Sequence, residues 1–235
     1  MDKKIAVLIP CYNEELTIET VVKDYKQALP MAEVYVYDNN SKDRTVEKAR
    51  EAGAIIRYEK TQGKGAVIRK MFYDIDADIY VMVDGDDTYP TDNITQLINL
   101  LIEGNYDLVI GDRLESGYFK ENKKITHSIG NKIVPFMINC FYKTGVHDVM
   151  SGSRVFSKKF VKNFPAKYDG FETETEMIIY ASQNHLRVGS YPIPYRDRPK
   201  GSKSKVNSIR DGMKIIALIL KSSLNKKHIL VGERK

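Results

Sequence analysis

Cysteine is nearly absent from this chain of 235 residues, with only Cys11 and Cys140, far apart and outside any CxxC or Cys/His spacing. That excludes a disulfide framework and a thiolate zinc site, and it points to a reducing cytosol. Long apolar runs are missing too. A membrane-spanning helix needs about eighteen apolar residues, and the nearest approach, residues 213–220, already contains Lys214. The run after Lys3 and Lys4 is broken at Asn13 after about seven residues, too short for a secretion signal and suited to a buried strand. No internal repeat, low-complexity segment or linker occurs, and neither GxGxxG nor GxxxxGK[ST] is present. With 42% hydrophobic and 29% charged residues, and Gly and Pro scattered among periodic segments, disordered, collagen-like and coiled-coil classes are excluded.

What is present is unevenly charged. The chain carries +6 overall, yet residues 196–235 hold twelve Lys/Arg against three acids, a net +9, so the first 195 residues carry −3. An anionic partner therefore meets the protein at its tail. Ile209, Met213, Ile216, Leu220 and Leu224 recur at helical spacing, with Arg210, Lys214 and Lys221 alongside. Such a helix suits the headgroup region of an anionic membrane, and equally a terminal helix packed on the domain with its lysines solvated. Nucleic acid ranks third, because no aromatic residues interleave the basic segment and no helix-turn-helix or finger pattern precedes it.

Strand-like and helix-like segments alternate through the first half. Strands are expected at residues 5–9, 34–37, 54–58, 79–83 and 108–110. Helices are expected at 14–28, 45–52, 66–73 and 92–103. This βα alternation predicts an α/β fold with a mainly parallel central sheet, helices on both faces, and ligands beyond the strands' carboxyl ends. The second half predicts helices at 125–141 and 172–182 and strands at 154–156 and 186–191. Residues 1–205 read as one domain, and 206–235 as a basic amphipathic membrane-docking tail.

Each early strand ends in a polar loop: Pro10-Cys11-Tyr12-Asn13-Glu14, Asp38-Asn39-Asn40-Ser41, Gly63-Lys64-Gly65 and Asp84-Gly85-Asp86-Asp87. Carboxylates as close as Asp84 and Asp86 are tolerated where a cation neutralises them, and an oxygen-only set favours Mg²⁺ or Mn²⁺ completed by substrate phosphates. The same acids suit a turn before the Thr91/Asp92 helix cap. Lys64 in its glycine loop can serve a diphosphate, or simply lie in a turn into a helix. Asp38 can accept from ribose hydroxyls or form an Asx turn.

In order along the chain, IPCYNEE at 9–15, YDNNSKDRT at 37–45, GKGAVIR at 63–69, DGDDTYP at 84–90, GDR at 111–113, SGSRVFS at 151–157, ETEM at 174–177 and YRDRPKGSKSK at 195–205 resemble the family 2 glycosyltransferases. Within them they resemble the polyprenyl-phosphate branch typified by dolichyl-phosphate mannose synthase. Any one motif is weak, but eight in order cover nearly the whole chain. The resemblance implies a GT-A fold that binds a nucleotide diphospho-sugar. Pro10, Tyr12, Asn13, Glu14 and Asp38 would hold the nucleoside, with Lys64 and Asp84 beside the diphosphate, and Asp84 and Asp86 the metal. Arg113, Ser151, Arg154, Arg198, Ser204 and Lys205 fall where the family binds the lipid phosphate, and Arg113 and Arg154 join the two aspartates as expected catalytic residues. Thr88 replaces the glutamine of that branch's DxDxQ, and the basic loop has one extra residue between Gly201 and Ser204.

The implied reaction is attack by an acceptor phosphate oxygen on the anomeric carbon, with inversion and loss of a nucleoside diphosphate. A phosphate monoester, with a second pKa near ~6, needs no strong base. Glu174 and Glu176 could position the donor sugar, or be ordinary acids in a first helical turn. Small bacterial members without transmembrane helices imply UDP-glucose or UDP-N-acetylglucosamine rather than GDP-mannose. The expected partners are polyprenyl (undecaprenyl) phosphate, the inner face of the cell membrane, and a second copy or a small membrane protein, but not nucleic acid. The alternatives are a transferase acting on a saccharide hydroxyl and a catalytically silent membrane-recruited scaffold. A nucleotidyltransferase is disfavoured, because its glycine-rich first loop is missing.

Overall fold

The computed structural model describes residues 3–115 and 125–232. The alternation of the first half is realised as β1 (Ile5–Cys11), α1 (Ile18–Ala28), β2 (Glu33–Asp38), α2 (Thr45–Glu51), β3 (Ile55–Tyr58), α3 (Lys64–Asp74), β4 (Ile79–Met82), α4 (Ile94–Glu103) and β5 (Leu108–Asp112). The second half contributes α5 (Ile125–Tyr142), β6 (Arg154–Ser157), α6 (Lys158–Asn163), α7 (Thr173–Gln183), β7 (Val188–Pro192) and α8 (Ser208–Gly232). The expected helix at 14–28 begins only at Ile18. Thr45 Oγ1 takes the Glu14 N–H at 2.8 Å, and Thr17 Oγ1 donates to Gly85 O at 2.6 Å, so these residues form a turn pinned to two loops. The short α6 was not expected from periodicity. Its signal is the Ser157 cap, whose Oγ accepts from Phe160 N at 3.2 Å.

Seven strands form one sheet in the order β3-β2-β1-β4-β6-β5-β7, with β6 antiparallel to both neighbours and the other pairings parallel. The apolar run of β1 is split by the pleat. Ala6 and Leu8 face a core with α3, α5, α6, α7 and α8, whereas Val7, Ile9 and Cys11 face α1, α2 and α4. Both faces are thus covered, as the continuous hydrophobicity requires.

The registers bring the functional loops to one edge. Cys11 lies opposite Asp38, and Asp38 opposite Tyr58. Because β6 runs the other way, its first residue, Arg154, pairs with Met82 and Ile110 near the carboxyl ends of β4 and β5. The reversal delivers residues 151–154 to the same crevice as the loop after β4.

Candidate active site

The first three loops are stitched together by side chains. Asn13 N donates to Ser41 Oγ at 2.9 Å, and Lys42 N to Asn13 Oδ1 at 2.8 Å. Asn39 Nδ2 donates to Glu59 O and Thr61 O, both at 2.8 Å, while Asn39 Oδ1 accepts from Gly63 N at 2.8 Å. Asn39 thereby fixes the second loop to the third, a role unmarked in the sequence beyond its place in the NN pair. Asn13, Asn40 and Asp87 all have positive φ, a conformation that Asn and Asp tolerate and that clusters at functional sites. Asp38 is buried, with one oxygen accepting from Ser41 N at 3.2 Å and Oδ1 shut from solvent without a hydrogen-bond partner among the described residues. It is both the Asx-type turn and an acceptor in reserve. A cleft runs between Tyr12, Glu14 and Asp43 on one side and Ser202, Ser204 and Lys205 on the other.

The acidic loop is held from beneath. Lys64, mostly enclosed at the start of α3, reaches Asp84 Oδ1 at 2.6 Å and Glu174 Oε1 at 2.5 Å. Burial opposes the charge on each partner. For Lys64 the two carboxylates outweigh it and raise the ammonium's pKa. For Asp84 the neighbouring Lys64 outweighs it and keeps the carboxyl below its ordinary value. Asp86 and Glu174 go the other way, pushed up by burial and then, for Asp86, by the charge on Asp84. Thr88, at the position where the resembled branch has DxDxQ, donates through Oγ1 to Asp86 Oδ1 at 2.7 Å. Gly152 packs so closely on Asp84 that a Cβ there would overlap Oδ2, which is why the SGS motif has no side chain at its centre.

The expected acceptor residues separate into two groups. Arg198 pairs with Asp86 and lies 3.6 Å from Glu14, while Lys205 reaches Glu14 at 2.5 Å and Asn13 O at 2.8 Å. Ser204 is exposed beside them. Arg113 forms a fork on Asp148 at 2.7 and 2.8 Å, its guanidinium 5.3 Å from the centre of the Tyr195 ring. Asp148 was not singled out in the sequence; its signal is an acid between the buried Val146 and Val149. Arg154 and Ser151 are fully buried, against their expected place at a phosphate. The Arg154 guanidinium donates to Val149 O at 2.6 Å and to Ser151 O and Glu174 O at 3.0 Å. Enclosed among carbonyls, it braces the residues around the acidic loop and does not reach the crevice surface. Lys64, expected beside the diphosphate, contacts the carboxylates of Asp84 and Glu174.

Asp84 and Asp86 fit a hard divalent ion. They are oxygen-only and adjacent, and burial together with the charge on Asp84 makes Asp86 resist ionisation, a conflict that a +2 charge relieves. Among the described residues, the one group of three candidate ligands within 4.8 Å of each other is elsewhere, Asp112, Glu115 and His147, with the last two exposed.

Known proteins resemble this chain in sequence and in fold. Residues 6–164 match Glycosyl transferase family 2. Glycosyltransferase AglJ of Haloferax volcanii is 34% identical over 209 residues, 88% of this chain and 68% of that protein. The UDP-N-acetylglucosamine–dolichyl-phosphate N-acetylglucosaminyltransferase of Methanococcus voltae is 29% identical over 82% of this chain and 85% of its own length. In fold, the chain superposes with a TM-score of 0.75 on the Mycobacterium tuberculosis glucosyl-3-phosphoglycerate synthase crystallised with Mn²⁺, UDP-glucose and phosphoglyceric acid, at 19% identity, covering 94% of this chain and 80% of that one. The sheet is therefore a GT-A sheet with an added C-terminal helix, and the chain belongs to glycosyl transferase family 2.

Proposed function

We propose that the protein transfers glucose or N-acetylglucosamine, with inversion, from a UDP-sugar to a polyprenyl phosphate at the cytoplasmic face of the membrane, feeding cell-surface glycan synthesis. The observation that carries this reading is the meeting, in one crevice, of a carboxylate loop suited to a metal-bound diphosphate with two cations, Arg198 and Lys205, suited to a second phosphate. Support for the substrate classes comes from the relatives: the Methanococcus protein is named for UDP-N-acetylglucosamine and dolichyl phosphate, and the mycobacterial synthase binds UDP-glucose and Mn²⁺.

Bound Mg²⁺ or Mn²⁺ would supply the positive charge that the departing diphosphate needs. The chain's own residues do the rest. Lys64 keeps Asp84 ionised and fixed, Thr88 orients Asp86, and Asp38 offers its spare oxygen to the nucleoside. An oxygen of the acceptor phosphate attacks the anomeric carbon as the bond to the nucleoside diphosphate breaks. That oxygen is already ionised near neutrality, so no side chain has to take a proton. Glu174, committed to Lys64, fits a base-free mechanism.

Among the described residues no helix is long and apolar enough to cross a membrane. In its place α8 turns Ile209, Met213, Leu220 and Leu224 outward, with Arg210, Lys214 and Lys221 also exposed, which suits a helix lying in an anionic headgroup layer. A second copy or a small membrane protein would add the second attachment that stable anchoring requires.

The test is incubation of the purified protein with labelled UDP- and GDP-sugars, undecaprenyl phosphate and Mg²⁺ or Mn²⁺, followed by organic extraction. Lipid-borne label that requires metal and disappears in Asp86→Ala is the expected result. Label on an added saccharide and none in the lipid would overturn the lipid acceptor.

A further inference from the structure

The loop at 196–205 already occupies the donor carboxylates. Arg198 pairs with Asp86, Lys205 with Glu14, and Arg196 with Asp87, while Arg196 N donates to Thr88 O at 3.1 Å. Every acid on the open side of the acidic loop thus faces a cation of the loop expected to bind the acceptor. Arg198 is also only half used. Its second terminal nitrogen, Nη1, is buried without a hydrogen-bond acceptor and comes no nearer to a carboxylate than 3.6 Å. A guanidinium with one arm on a carboxylate and the other unsatisfied is poised to exchange a protein anion for a ligand anion.

We propose that Arg198 is a counter-ion switch: it holds the Asp86 carboxylate until a divalent ion carrying a nucleoside diphosphate displaces it, and the released guanidinium then receives the acceptor phosphate. Asp86 Oδ1 already accepts from Thr88 Oγ1 and its Oδ2 is paired with one arm of Arg198, so a metal reaching for this carboxylate competes with Arg198 for it. The divalent charge wins only with the diphosphate completing its coordination. The cation intended for the acceptor becomes available when the donor is seated, and an unproductive encounter with phosphate in an empty crevice is disfavoured. Lys205, held by Glu14 and Asn13 O on the adjoining side, marks where the released Arg198 would find a second cation for the same phosphate.

The proposal rests on the donor reading of the crevice, but it makes a prediction that reading alone does not: removing the Arg198 contact with Asp86 should improve donor binding. The experiment is calorimetric titration of UDP with Mn²⁺ into the full chain, with no acceptor present. Arg198→Gln is expected to bind Mn²⁺–UDP roughly five- to tenfold more tightly than the unaltered protein, as the loss of a partly exposed competing ion pair allows. Arg198→Lys, which keeps a cation opposite Asp86, is expected to return close to the unaltered affinity. Equal or weaker binding by Arg198→Gln would overturn the switch while leaving the donor site standing. Binding by neither protein would overturn both, since nothing would then displace Arg198. Arg198 lies on a partly exposed loop, and an unchanged melting temperature of each variant confirms that the comparison is between folded proteins.

Discussion

Lys64 separates two carboxylates, Asp84 and Glu174, that would otherwise face each other in a nearly closed space. Replacing it by methionine keeps the volume and removes the charge. Lys64→Met is therefore expected to lower stability at pH 7 by about 3 kcal/mol, the usual scale for stripping a buried charge of its partner. The sign of its pH dependence follows. In the unaltered protein Lys64 holds Asp84 below its ordinary pKa, so that carboxylate stabilises the fold above its unfolded pKa and loses the contribution as pH falls through the depressed value. Without Lys64, burial raises both carboxyls, and the variant regains stability relative to the unaltered protein as pH falls and they take up protons. Urea unfolding at pH 7 and pH 5 checks this: a gap that widens at pH 5 would refute it. The clustering of Asp84 and Asp86 in one loop after a buried strand was legible in the sequence, which left a metal site and a turn before a helix cap both open. The place of Arg154 was not. An arginine in a motif looks the same whether its fork meets phosphate or the chain's own carbonyls, and here the carbonyls of Val149, Ser151 and Glu174, the last twenty residues away in sequence, close around it.

The elements show the same division between what spacing reveals and what it leaves open. Periodicity located the first five strands and their helices because nearly all of them bury apolar residues, the edge strand β3 being only half-buried. It could not give the direction of β6, since RVFS alternates equally well in either sense. For α8 the stripe of Ile209, Met213, Ile216, Leu220 and Leu224 admitted packing or membrane docking. The structure buries a different set, Ile215, Leu218 and Ile219, in the core shared with α5 and α7, and leaves most of the expected stripe outward. One helix thus has two apolar sides with separable consequences. Ile219→Ala is expected to cost about 2–4 kcal/mol through the cavity it leaves, read by chemical denaturation. The double change Ile209→Asp and Met213→Asp, at positions 74% and 61% exposed, is expected to leave the melting temperature within about 2 °C and abolish sedimentation with anionic vesicles. Retained sedimentation would assign the outward stripe to something other than lipid.

At the scale of the whole molecule, charge and geometry act together. The +9 of residues 196–235 sits on a body of −3, and the chain passes from Lys205 at the crevice to Ser208 at the start of α8 within three residues, a reach of about 10 Å. On the proposed docking of α8, the short link from Ser208 to Lys205 ties the docked helix to the cations of the crevice. Surface docking of this kind is screened by salt, whereas the crevice pairs are largely enclosed. Transfer to undecaprenyl phosphate embedded in anionic vesicles is therefore expected to fall severalfold as salt rises from about 0.1 M to about 0.5 M, where the Debye length drops well below 10 Å. Transfer to a short, water-soluble prenyl phosphate is expected to change far less. The double change on α8 should reproduce the same split at low salt, suppressing the vesicle reaction and sparing the soluble one. Equal losses on both acceptors would mean that salt and α8 act on the crevice itself, and the separation of docking from transfer would fail.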